Sequence, residues 1–161
     1  MNATTNMYKT ITLFLLLAIG FVTCGCEENS SNQIHSRNIN SSGCKTVGSN
    51  AKSTNGLVAG PETITLSARE GGWMLVEHNN SMFNCCTEQF IVKISSVDNI
   101  ILVDEDEDNH SCNCVCPFDV SYEIGGLEKD VYTLVIRKGG LELLKEKIVY
   151  TNELKKTFTI E

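Results

Sequence analysis

From Pro61 onward the chain alternates apolar and polar residues with the period of half-buried β-strands. Ile64, Leu66 and Ala68 alternate with Thr65 and Ser67. After Gly71-Gly72, Trp73–Val76 resumes an apolar strand. Phe90, Val92 and Ile94 alternate with Ile91, Lys93 and Ser95, and Asp98-Asn99 separates them from Ile100–Val103. Val120, Tyr122 and Ile124 form another inward set, as do Tyr132, Leu134 and Ile136. Gly125-Gly126 and Gly139-Gly140 supply turns. Leu143–Tyr150 and Thr157–Ile160 complete the series, and only Leu141–Lys147 could be read as a short helix. The pattern predicts an all-β domain over 61–161, an immunoglobulin-like antiparallel β-sandwich of seven or eight strands.

Residues 26–60 lack either period. They are rich in Ser, Asn, Thr and Gly and bury too little to offset the entropy of ordering, so they read as a flexible tether containing His35 and Cys44. Ahead of them, Lys9 precedes the uncharged apolar run Thr10–Val22, whose 13 residues fall short of a bilayer span of about 20. A basic residue followed by a short apolar stretch is the layout of a secretory signal, here residues 1–25. The run ends at Thr23-Cys24-Gly25-Cys26-Glu27-Glu28. This resembles bacterial lipoproteins, whose signal ends at a cysteine that is acylated and becomes the new N-terminus. Cys26, with the small Gly25 before it, is the expected site and Cys24 the alternative. The resemblance implies palmitate-type acyl chains on that sulfur, which hold a protein firmly when several are present.

Lys+Arg is 13 and Asp+Glu is 20, a net charge of −7, which excludes non-specific nucleic-acid binding. With three His in the chain, multi-histidine chemistry has little material. No nucleophile elbow, H-E-x-x-H or triad context occurs, so the reading is not an enzyme. His78 beside Glu77, and Asp119 with Glu123, read as ordinary strand residues and surface charges.

Eight cysteines are the outlier. Without Cys24 and Cys26, Cys44, Cys85, Cys86, Cys112, Cys114 and Cys116 remain, an even set suited to an oxidising compartment. A two-residue turn at Asp98-Asn99 places Val97 opposite Ile100, Lys93 opposite Asp104, and Cys85 opposite Cys112 if the ladder holds that far. A one-residue shift leaves Cys85 or Cys86 beside Cys112. Two readings stay open: one or two structural disulfides with buried free thiols, or a thiolate site for zinc or Cu(I) using Cys112, Cys114, Cys116 and His110. No C-x-x-C occurs. The acidic run Asp104–Asp108 copies the first three ligand positions of a calcium loop, but Asn109 and Val115 break the copy; it reads as a solvated hairpin extension that discourages edge pairing.

The stretches Phe83–Cys86 (FNCC), Cys112–Ile124 (CNCVCPFDVSYEI) and Gly126–Ile136 resemble a cysteine-rich domain of Bacteroidetes-type lipoproteins. The resemblance covers about two thirds of the chain and implies a lipid-anchored sandwich at the bacterial envelope, on the outer membrane or cell surface, with no assigned activity. The function class that fits is a binding or interaction module for a protein or glycan, with Trp73 and Tyr150 as the aromatic candidates. A structural envelope component and a zinc- or copper-binding protein are the alternatives.

Overall fold

The computed structural model describes residues 33–45, 60–108 and 111–161. Among the described residues nine strands form two sheets: β1 (His35–Ser41), β2 (Thr63–Arg69), β3 (Trp73–Asn84), β4 (Phe90–Val97), β5 (Ile100–Glu107), β6 (Val115–Gly125), β7 (Val131–Lys138), β8 (Leu141–Val149) and β9 (Lys155–Thr159). Sheet 1 has the order β1-β6-β3-β2-β9, and sheet 2 the order β4-β5-β7-β8. The stretch Leu141–Lys147 is strand, not helix.

The alternation seen in the sequence becomes the core. Ile64, Leu66, Met74, Val76, Tyr122 and Ile124 from sheet 1 bury against Ile101, Val103, Leu134 and Ile136 from sheet 2. Toward one end Phe83, Phe90 and Phe118 pack edge to face, with centroids 4.8 to 6.3 Å apart, a geometry that matches ring edges to ring faces. Turn chemistry sets the strand ends. Lys138 pairs with Leu141 across Gly139-Gly140, both at positive φ, which closes a two-residue hairpin. Val97 pairs with Ile100, and the register anticipated from that turn holds along the whole β4–β5 ladder to Phe90–Glu107.

Two features depart from the expectations. Residues His35–Ser41, assigned by composition to the tether, form β1 and pair with β6. An edge strand is held by backbone hydrogen bonds on one side and needs few apolar residues, so its sequence carries little signal. The Ser36 hydroxyl also donates to the Val92 carbonyl at 3.4 Å, tying β1 toward β4 of the other sheet. Second, β5 and β7 run parallel rather than antiparallel. The chain leaves sheet 2 after β5, runs through sheet 1 as β6, and re-enters as β7 having reversed twice.

Candidate functional site

Between the sheets lies a cluster of charged side chains. Its geometry begins with a β-bulge: His78 pairs with Val120 and Ser81 with Phe118, so Asn79 and Asn80 oppose Asp119 alone. The extra residue shifts the phase of β3 by one, which turns Ser81 inward beside His78. Asn80 takes a positive φ of 58° there, its N–H donates to Asp119 at 3.0 Å, and Lys45 donates to both Asn80 and Asp119.

His78 is fully buried and bonded at both ring nitrogens. Nδ1 lies 2.6 Å from Glu105 Oε2 and Nε2 lies 2.8 Å from Glu62 Oε1. Tyr122 donates to the other Glu105 oxygen at 2.7 Å. Ser81 and Lys138 donate to Glu62 at 2.8 and 2.9 Å, and Lys138 also reaches Ser81 Oγ at 2.9 Å. Burial alone would strip the imidazole of its proton. The hydrogen bonds to Glu105 and Glu62, and their negative charge, outweigh it and push the His78 pKa up to about 9. Burial likewise opposes the Glu62 charge, but bonds from His78, Lys138 and Ser81 take its pKa down to about 2. Burial and the Glu105 charge drive the Tyr122 phenol well above its ordinary range. His78 is therefore protonated and Glu62 ionised at neutral pH. Among the described residues no buried side-chain nitrogen or oxygen lacks a partner. A hydroxyl and imidazole so fully engaged tie the sheets together and offer no free nucleophile.

Glu105 belongs to the acidic run, which is no solvated extension. Alternation turns Glu105 inward, while Asp104 on the outer face makes a two-pronged bond with Arg137 at 2.6 and 2.7 Å. Glu107 accepts the Asn84 N–H and the Thr87 hydroxyl, and Asp108 caps the N–H groups of Glu88 and Gln89. The carboxylates close the loop leading to the cysteines.

The cysteines form three disulfides, Cys44–Cys116, Cys85–Cys114 and Cys86–Cys112, with Cα atoms 5.7 to 5.8 Å apart, within the usual span of a bridge. The two groups do meet, and of the two candidates beside Cys112 it is Cys86 that bonds to it, while Cys85 joins Cys114. The β4–β5 ladder ends before either cysteine, and Cys112 and Cys114 lie in the loop ahead of β6 rather than on one strand face. Cys112, Cys114 and Cys116 thus bond to three different partners and have no thiolate to offer a metal. Cys44, read as part of the tether, clamps the end of β1. Cys24, Cys26 and His110 lie outside the described residues. Among those described, no group of three or more His, Cys, Asp or Glu is arranged to hold a metal ion, and no helix is long and apolar enough to cross a membrane.

The outer face of sheet 1 is polar. At its centre a cleft of about 290 Å³ is lined by Asn40, Ser42, Glu77, Asn79, Asp119 and Ser121. Asp119 is engaged by the bulge, but the side chains of Glu77, Asn79 and Ser121 make no hydrogen bond among the described residues. At one end of the same face the Arg37 guanidinium lies over Trp73, 3.4 Å from the ring centroid, and donates to Glu123 at 2.7 Å, while the His35 and Trp73 rings stand nearly perpendicular with centroids 5.0 Å apart. That bond holds the Glu123 carboxyl below its usual range. A Cβ on Gly125 would fall 2.5 Å from the indole, so only glycine admits the ring there. Tyr150 is buried, its hydroxyl donating to the Trp73 carbonyl at 3.0 Å. Neither aromatic candidate therefore stands free as a sugar platform.

Sequence reasoning missed Glu62, Ser81, Glu105 and Lys138 as a set. The available signal was the in-register extension of β3 past Val76, which places His78 inward with no room for an unpaired imidazole.

Comparison with family models, with curated proteins and with solved structures finds no match for this chain.

Proposed function

We propose that the protein is a non-catalytic binding module of the bacterial envelope, anchored by acyl chains on Cys26 and carried at the outer membrane or cell surface, which takes a hydroxyl-rich glycan in the cleft on sheet 1. The solvent-facing polar side chains of Glu77, Asn79 and Ser121 around one concavity carry this reading. A carboxylate, a carboxamide and a hydroxyl together both donate to and accept from sugar hydroxyls. Three disulfides are the mark of an oxidising, extracytoplasmic setting, in keeping with an exported module. The saturated His78 cluster supports a binding role over a catalytic one.

The test is an array of uncharged oligosaccharides probed with the acylated protein and with Glu77→Gln and Asn79→Ala. Retention of an oligosaccharide class by the wild type, lost in both variants, supports the reading. No retention, or retention unchanged by both substitutions, overturns it in favour of a structural envelope component. Intact mass of the protein from membranes reports the acyl chains on Cys26 separately.

A further inference from the structure

The described fold begins at Gln33, and β1 starts with His35 paired to Gly125, the last residue of β6. The chain turns there into β7, whose first residue Val131 pairs with Val149 at the end of β8. The tip of the β4–β5 hairpin lies at the same end, because Asn99 donates to the Val131 carbonyl at 3.0 Å and accepts the Thr133 N–H at 2.8 Å. The cysteines lie at the opposite end. Entry of the chain and four exposed aliphatic side chains thus share one end of the sandwich. Val97 is 70% exposed, Val149 59%, Ile100 50% and Val131 45%. All four project from the outer face of sheet 2, opposite in phase to the buried Ile101 and Tyr132.

We infer that this end of the domain lies against the lipid surface, with Val97, Ile100, Val131 and Val149 in contact with the bilayer interface. The inference rests on acylation of Cys26. Because β1 takes up residues once read as tether, only seven residues run from Cys26 to Gln33, and seven extended residues reach at most about 25 Å. A lipid on Cys26 therefore keeps the entry end close to the membrane, and the aliphatic patch at that end meets an apolar phase instead of water. Asp98 and Asp130 beside the patch are offset by Lys129 and Lys147, so the contact rests on apolar burial and not on headgroup charge. The tether sets the distance, the patch sets the orientation, and the glycan cleft stays on the other sheet.

The experiment uses the full acylated protein in phosphatidylcholine vesicles containing brominated lipid, which quenches nearby indoles. Val97→Trp places a reporter in the patch, and Glu88→Trp places one in an exposed loop beside the cysteines. The wild-type signal of Trp73, the one native tryptophan, is subtracted. The expected result is loss of emission and a blue shift for V97W, with neither for E88W. Equal behaviour of the two reporters on protein shown by intact mass to be acylated overturns the inference and leaves the anchor standing. Absence of acyl chains on Cys26 overturns both.

Discussion

His78 shows how one buried residue sets a pH window. Its pKa is raised from 6.5 to about 9 in the folded protein, so the stability it contributes is complete below the unfolded value and is lost as pH rises through 9. Glu62 works in the other direction: lowered from 4.5 to about 2, it contributes above the unfolded value and fails as pH falls toward 2. Thermal melts should therefore show a plateau bounded by an alkaline and an acid decline. His78→Gln should cost about 3–5 kcal/mol, because it leaves Glu105 buried beside a neutral partner. In that variant the alkaline decline should disappear from the Tm profile; its persistence would assign the decline to other groups. None of this was legible locally. The two carboxylates bonded to His78 stand 16 and 27 residues away in the chain, and Glu105 looked like one member of a solvent-facing run.

At the scale of the element, strands with both apolar alternation and a turn on each side were readable, and the β4–β5 register followed from its two-residue turn alone. What alternation could not reveal was where a strand needs no apolar face. β1 is a run of Ser, Asn and Arg at an edge, and its bulge at Asn38 further blurs any period. It is fixed instead by backbone pairing to β6 and by Cys44–Cys116, which closes a separation of 72 residues. A loop of that size corresponds to about 4 kcal/mol in the chain-entropy account of disulfides. Cys44→Ser combined with Cys116→Ser should lower stability by about that amount. It should also raise amide exchange across β1 well before β3 or β6, as followed by mass spectrometry. Uniform exchange across all three strands would show that β1 belongs to the cooperative core.

For the molecule as a whole, the even count of cysteines indicated an oxidised fold, and six paired sulfurs confirm that part of the reading. The pairing needed three-dimensional information, since Cys112, Cys114 and Cys116 look equivalent by spacing and meet three different partners, two of them adjacent in the chain. Their accessibility differs: Cys114 is exposed, whereas Cys116 is only 9% exposed. Graded treatment with a small dithiol, read by alkylation and peptide mass, should open Cys85–Cys114 before Cys44–Cys116. Simultaneous opening would mean that the first reduction unfolds the domain.

The parallel pairing of β5 with β7 also orders events in time. The β4–β5 hairpin can close as soon as both strands exist, but its far edge stays bare until the chain has laid β6 along β3 and returned. Such a detour pays loop-closure entropy before the return contact rewards it, which slows assembly. During folding the hairpin therefore waits, with one open ladder, for β6 to be laid down in the other layer. In pulse-labelled refolding, β4–β5 amides should gain protection first, and β7–β8 amides only together with β6. The wait is also when a chaperone or a neighbouring chain would find an unpaired strand to bind.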